Sequence, residues 1–543
     1  MKTRTFKKGR RQFLKGSLAV GAAGLLGGFP ESAAGAAENA PPLEKAPGER
    51  INQGKTYPFE TPPAPIPKSD IKTSRNADVV ILGAGISGLC AAYSAAERGA
   101  NVVLLEKRTT FTVHGGFNGA VGDRVHKSQK VDIPKDQIMA EIMRFGAYHP
   151  NARLIRLWLN ESGRVMNNLL DMADKAGIKY VLDTDTKFHW PYKEYPLAIQ
   201  FMPFMNQTLA RMLESNIIDM GVEILYGTPA VQLITDGKNR VTGVITRGKE
   251  GYEQINAAKG VIICTGGYGN HPEMIEKYAP RALKVVENAY REASNTGDGI
   301  ILGMWVGAAK QETACPMLWD GFVRGNDLFV SIARQPFLNV NLSGERYANE
   351  DAPFGYTANQ DIQQPGSAKW TVWDAKWNMD KDKLHGTVCE NMSTPSILWN
   401  EKSYDEWKKK GVIIEANTLE DLAGKMKVPK ETFLATVKRY NELAAKGVDE
   451  DFGKDPEKLT TIVQPPFGAA KTGTGLLVTL DGLRINTDLQ VLNTEGHPIA
   501  GLYAAGNASG DFFANDYPIT CIGVSHGRAI TFGWLAGEKV AGV

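Results

Sequence analysis

"NADVVILGAGISGLCAAYSAAERGANVVLLEK", residues 76 to 107, decides the fold. Asp78 to Leu82 is a short apolar run that reads as a β-strand. Gly83, Gly85 and Gly88 then form a G-x-G-x-x-G turn, an alanine-rich helix follows, and "NVVLLE" reads as a second strand ending in Glu106. Each part has a physical task. Glycines permit a tight turn and close approach of the backbone to a ligand, and a helix start offers unpaired N–H groups to a pyrophosphate. A carboxylate ending the second strand accepts from ribose hydroxyls. The stretch is a βαβ nucleotide-binding fingerprint, with Gly83, Ala84, Gly85, Ser87, Gly88, Glu106 and Lys107 as its candidate ligand-contacting residues. It does not by itself identify the dinucleotide.

The 543-residue chain is long enough for two packed units, and 43% hydrophobic with 22% charged residues is ordinary globular composition, which excludes a disordered or fibrous protein. The formal charge of +2 is set by the head of the chain. Lys2, Arg4, Lys7, Lys8, Arg10, Arg11 and Lys15 stand there against Glu31 alone, and without the first 36 residues 55 basic side chains face 59 acidic ones. No basic surface is implied, so nucleic acid is not an expected partner. Cys90, Cys264, Cys315, Cys389 and Cys521 are scattered and contain no C-x-x-C or C-x-x-C-H pattern. They read as small buried residues, and neither a disulfide framework, an iron–sulfur cluster, attached haem nor any other metal site is expected.

The head reads "GRRQFLKGSLAVGAAGLLGGFPESAAGAA", with Arg10, Arg11, Phe13, Leu14 and Lys15 ahead of a glycine-rich apolar run. It resembles a twin-arginine export signal, which addresses a translocase that carries folded proteins. Residues 1–36 are the expected signal peptide and the Pro- and Ala-rich residues 37–74 a linker. The run from Gly16 to Phe29 is shorter than the ~20 residues of a membrane span, and no later stretch reaches that length, so none is expected in the mature chain. The expected location is the periplasm or the extracytoplasmic face of the cell envelope.

Four later segments identify the cofactor: "TVHGGFNGAVG" (112–122), "GVIICTGGYGNHPEM" (260–274), "NTGDGIILGMWVGA" (295–308) and "IAGLYAAGNASG" (499–510). In this order, with "SGERYANE" in the middle of the chain, they resemble the flavoprotein family of fumarate reductases, succinate dehydrogenase flavoprotein subunits and 3-ketosteroid Δ1-dehydrogenases. The resemblance covers roughly residues 75–543. It implies an α/β fold, a three-layer Rossmann-like FAD-binding domain (75–311 and 465–543) with an inserted α+β capping domain (312–464). It also implies that Glu106 holds the FAD ribose, that Gly115 and Gly116 pass under the isoalloxazine, and that Val231 lies by the adenine. Asp298 and Asn507 would contact the cofactor, as would Asn118, Thr265, Gly266 and Gly506. The terminal helix, starting near Ser525 and His526, would aim its positive end at flavin N1 and stabilise the anionic reduced form. Covalently flavinylated members carry a His six residues before the Gly-Gly pair. Thr109 stands there and His114 abuts the pair, so the FAD is expected to be noncovalent.

The substrate side departs from the fumarate reductases. Their His-Pro corresponds to Cys315-Pro316, their proton-delivering Arg to Phe354, and the Arg of their "HGANR" to Asp516 in "FFANDY". An acid in place of a bidentate guanidinium repels a dicarboxylate. "NEDAPF" and Tyr517-Pro518 are nearer the ketosteroid dehydrogenases, although Cys521 stands roughly where their backbone-donating glycine does. Tyr517 and Tyr356 are the candidate proton donors and Arg334 a candidate substrate contact, otherwise a structural ion pair. Trp319, Phe322, Trp370, Trp373 and Trp377 would suit a flat substrate, or serve as core. The expectation is an exported ene-reductase that transfers hydride from reduced flavin to an activated C=C bond of an unsaturated small molecule other than fumarate, fed by a separate cytochrome or quinol-linked donor. The alternatives are a ketosteroid-type dehydrogenase and a flavin-binding subunit without chemistry.

Overall fold

The computed structural model describes residues 55–542, apart from 185–187, 190–191, 238–239, 290–293, 326–328, 381–382 and 385–400. The expected signal peptide, residues 37–54 of the expected linker and Cys389 lie outside the described residues. Tyr57–Val543 forms one unit. In chain order its main elements are β1 (Ile71–Leu82), α1 (Ile86–Glu97), β2 (Val102–Glu106), β3 (Glu223–Tyr226), β4 (Gly251–Ile263), β5 (Pro316–Phe322), α2 (Phe354–Asp361), β6 (Ala368–Trp373), β7 (Phe467–Thr479), β8 (Pro498–Ala504) and α3 (Val524–Gly542).

The first sheet is built outward from the opening stretch. β1 pairs in parallel with β2 on one side and β4 on the other, β2 continues to β3, and β4 to β8. Val79 to Leu82 and Val102 to Leu105 are fully buried, as strands covered on both faces must be. β4 also carries an antiparallel flap, Val241–Gly248 and Ala230–Thr235. The sheet begins earlier than the apolar pattern indicates: β1 starts at Ile71, because its polar first half pairs with Tyr252–Ala257. Tyr57 and Phe59, in the expected linker, are buried, Phe59 edge-on to His271. Helix α3 packs across α1 through glycine. A Cβ on Gly533 would run into the Ser87 carbonyl and one on Gly537 into Ser94 Oγ, while Ser94 Oγ donates to Trp534 O at 2.7 Å.

A second sheet is organised by β7, which pairs antiparallel with β5, β6 and Ile413–Ala416, and in parallel with Glu287–Asn288. β6 passes the sheet on to Leu338–Val340. This sheet has its own apolar cluster around Val340, Trp370, Phe433 and Tyr440. β7 lies past the expected end of the capping segment at residue 464, and β5 before the middle of it, so the sheet is closed by strands about 150 residues apart in sequence.

Candidate active site

The turn after β1 shows why its residues are glycine. Gly83 has φ +99°, and a Cβ there would lie 2.7 Å from Cys264 O; one on Gly88 would overlap the Gly83 carbonyl oxygen. Gly85 caps α1 without a side-chain bond, so the first-turn N–H groups face the space beyond. Glu106 Oε2 accepts from Ala84 N and Oε1 from Arg108 N, both at 2.9 Å, which fixes the turn and leaves carboxylate lone pairs for a further donor.

These residues open onto a cavity of about 470 Å³. At one end lie Glu106, Lys107, Arg108, Thr228, Pro229 and Ala230; Gly83, Gly85, Ser87, Thr265, Gly266 and Asp298 follow. Lys107 Nζ bonds Asp298 Oδ2 at 2.8 Å and Thr296 Oγ1 at 2.6 Å. Next come His114, Gly115, Gly116, Gly506, Asn507, Ser525 and His526. Gly115 (φ +61°) would bring a Cβ within 2.5 Å of the His526 ring, and a Cβ on Gly116 would overlap the Met205 thioether. Burial, with His114 nearby, pushes His526 down to about 4, so its ring is neutral at pH 7; His114 is also lowered, by burial and then Arg108. Met317 and Val478 pair across strands β5 and β7, beside Trp319 and Leu477, with Phe354 stacked on Trp319; with Met205, Tyr517, Ile519 and Ile522 they make up the far end of the lining.

The polar groups of this mainly apolar end are the Tyr517 hydroxyl and the Trp319 indole N–H, the latter buried without a hydrogen-bond partner. Trp319 and Phe354 stack with ring centroids 5.5 Å apart and 25° between planes. Tyr517, 5% exposed, accepts at its hydroxyl from Ser525 N at 3.1 Å, so the first turn of α3 points at that oxygen. Among the described residues no Lys, Arg, Asp or Glu lines this end; the charged lining residues among them are Glu106, Lys107, Arg108 and Asp298.

Several residues singled out in the sequence lie elsewhere. Arg334 is behind the stacked rings, its Cζ 5.0 Å from the Trp319 centroid and 4.9 Å from that of Phe354, and its Nε bonds Asp320 at 3.2 Å. It belongs to a buried chain that runs through Asp320 and Lys369 to Asp361. Tyr356 stacks on Phe145 at 4.9 Å, outside the cavity. Ala84 is in the core and offers only its N–H, to Glu106; Gly88 backs onto Gly83; Asn118 donates to Gly116 O at 3.2 Å and Ile199 O at 3.1 Å beneath the lining; Val231 gives way to Ala230. Asp516 also turns away: it accepts from Asn359 Nδ2 at 2.6 Å and from Tyr517 N at 2.8 Å, and burial raises it. The charge argument against dicarboxylates therefore rests on the lack of a cation at the far end, not on Asp516. Of the five aromatics proposed for a flat substrate, Trp319 alone lines the cavity; Trp377, for example, stacks on Tyr404 at 4.5 Å. Met205, Met317, Leu477, Val478, Ile519 and Ile522 carry no motif, and residue order gave no sign of them.

The profile of the family described as "FAD binding domain" matches residues 78–518. The chain belongs to this family. The residues present fit the group, since the glycine cradle would be filled by side chains and the helix-start N–H groups suit its phosphates. The protein is an FAD-dependent oxidoreductase acting on CH–CH or C=C groups. Residues 9–27 match the twin-arginine translocation signal, which directs export to the periplasm or extracytoplasmic side. Among the described residues no helix is long and apolar enough to cross a membrane, and no cluster could hold a metal.

Among its relatives is a vinyl phenol reductase of Lactiplantibacillus plantarum, 29% identical over 473 residues, covering 82% of this chain and 93% of that protein. A probable fumarate reductase of Shewanella frigidimarina is 25% identical over 86% of this flavoprotein and 75% of its own length. The solved 3-ketosteroid-Δ4-(5α)-dehydrogenase of Rhodococcus jostii RHA1 superposes with a TM-score of 0.69 at 23% identity, over 88% and 99% of the two chains, and shares the fold.

Proposed function

We propose that the flavoprotein is an exported ene-reductase acting on a carbon–carbon double bond conjugated to an aromatic ring, of the vinyl phenol type, and supplied with electrons by a separate cytochrome or quinol-linked protein. The carrying observation is the far end of the cavity, where a stacked aromatic wall and thioethers surround a tyrosine hydroxyl and, among the described residues, no cation reaches the lining. Such a slot favours a flat uncharged ring and offers nothing to a dicarboxylate. The vinyl phenol reductase relative supports the same class.

In this reading residues 75–311 and 465–543 hold the cofactor and 312–464 cap it. Glu106 meets the ribose, Gly83 to Ser87 the pyrophosphate, and Gly115, Gly116, Asn507, Ser525 and His526 the ring. FAD, when bound and reduced by that donor, would supply the hydride for one alkene carbon. Tyr517 Oη hands a proton to the other carbon, so hydride plus proton saturate the bond. The oxygen left negative is met by the Ser525 N–H and the positive start of α3, and it regains its proton from solvent. Trp319 and Phe354 orient the ring and exclude water.

Oxidation of a reduced viologen dye by purified holoenzyme tests this, with vinyl phenols, cinnamates, enones and fumarate as acceptors. Turnover with a vinyl phenol and none with fumarate is expected. Turnover of fumarate alone, or dye reduction driven by saturated ketosteroids, would reject the reading in favour of the corresponding relatives.

A further inference from the structure

Arg528, on the second turn of α3, is fully buried, yet among the described residues every group it meets is neutral. Nη1 donates to Ser509 O at 3.1 Å and lies 3.3 Å from Ser509 Oγ, Nη2 donates to Asn507 Oδ1 at 2.9 Å, and Nε has no hydrogen-bond partner. The guanidinium lies over the Phe513 ring at 5.1 Å and that of Phe512 at 5.8 Å. No carboxylate is among the groups that act on it; burial lowers it to about 10, so it is charged at pH 7. A buried cation without a counter-ion is costly, and a negative charge arriving nearby during function would offset that cost.

Its neighbours say where that charge arrives. Two of its bonds end on the Gly506–Ser509 turn, whose Gly506 and Asn507 line the cavity. An arginine only donates, so its bond fixes Asn507 with Oδ1 turned inward and the amide N–H groups left for the cavity. Both the fixed amide and the unneutralised charge behind it favour negative charge on whatever lies against Asn507. We propose that Arg528 is a positioning residue that makes the bound FAD easier to reduce, by supplying through Asn507 the positive charge that the reduced, negatively charged ring system needs. This rests on the assignment of that part of the cavity to the flavin ring.

The test is a spectroscopic redox titration of purified holoenzyme against indicator dyes at pH 7, for wild type, R528K and R528Q, with FAD content and thermal melting recorded alongside. Bound FAD in the wild type is expected to be reduced at a higher potential than free FAD in the same buffer. R528Q should shift its equilibrium toward the oxidised form at least tenfold, about 30 mV for a two-electron couple. R528K, which keeps the charge, should recover most of the shift. An unchanged potential in FAD-loaded R528Q overturns the proposal, even if melting falls in both variants. A wild-type potential at or below that of free FAD overturns it as well, and this arm stands if R528Q does not fold. A change confined to the pH profile of kcat, with the potential unmoved, would assign Arg528 to Tyr517 and also overturn it. Failure of the cavity assignment has its own readout: Gly116→Val would then retain FAD.

Discussion

Replacing Tyr517 with Phe removes one oxygen atom from a buried ring and leaves its apolar contacts, such as the 5.4 Å approach to Phe513, in place. Two consequences follow from the geometry. The Ser525 N–H loses the acceptor it holds at 3.1 Å, and an unsatisfied buried donor costs about 1–3 kcal/mol of stability. In the proposed reaction the alkene carbon also loses its proton donor, and a positioned general acid contributes roughly 10²- to 10⁴-fold to rate. Y517F should therefore bind FAD in wild-type amount, melt slightly earlier and reduce the vinyl arene at least ~100-fold more slowly in kcat. The assay is viologen-dye oxidation under argon, paired with the flavin absorbance of the same preparation. A Y517F enzyme whose kcat falls by less than about tenfold would refute a proton-donating role. A parallel loss of FAD and activity would assign Tyr517 to the cofactor cradle instead.

Gly88→Ala should yield protein without FAD, because the added methyl overlaps the Gly83 carbonyl and displaces the turn; flavin content per chain measures this. Trp319→Ala removes half of the stacked wall, worth ~0.5–1.5 kcal/mol beyond its buried area, and should raise KM for the vinyl arene while FAD content holds. Asp449 gives a pH signature. Burial alone would raise it, but the hydrogen bonds from Arg346 and from the backbone outweigh that and hold it at about 2, below its ordinary 3.8. A depressed carboxylate stabilises the fold above its unfolded value and loses that contribution as pH falls through the folded one. Wild type should therefore exceed Asp449→Asn by about 2 kcal/mol near neutrality, and the gap should close between pH 4 and pH 2 in urea titrations.

The nucleotide fingerprint was legible because each of its residues is fixed by a neighbour within one supersecondary unit: Gly88 against Gly83, Glu106 on Ala84 N. The far end of the cavity was legible only at single positions. Tyr517 and Trp319 line the cavity, whereas Asp516, one residue from Tyr517, faces Asn359 across a turn in which Asn515 takes φ +59°. Residue order does not reveal which of two adjacent side chains such a turn sends inward. Arg334 and Tyr356 each lie one layer out, against Trp319 and Phe354 in the first case and Phe145 in the second. Met205 and Leu477 meet the same cavity from elements about 270 residues apart, which only the assembled sheets bring together.

The far end of the cavity is proposed to select an uncharged aromatic alkene for reduction. The most direct measurement of this selection is anaerobic reoxidation of the photoreduced holoenzyme, followed by flavin absorbance, on mixing with a vinyl phenol or with fumarate at equal concentration. Rapid reoxidation with formation of the ethyl phenol is expected in the first case and none in the second. Reoxidation by fumarate with no reaction of the vinyl phenol would contradict the proposal.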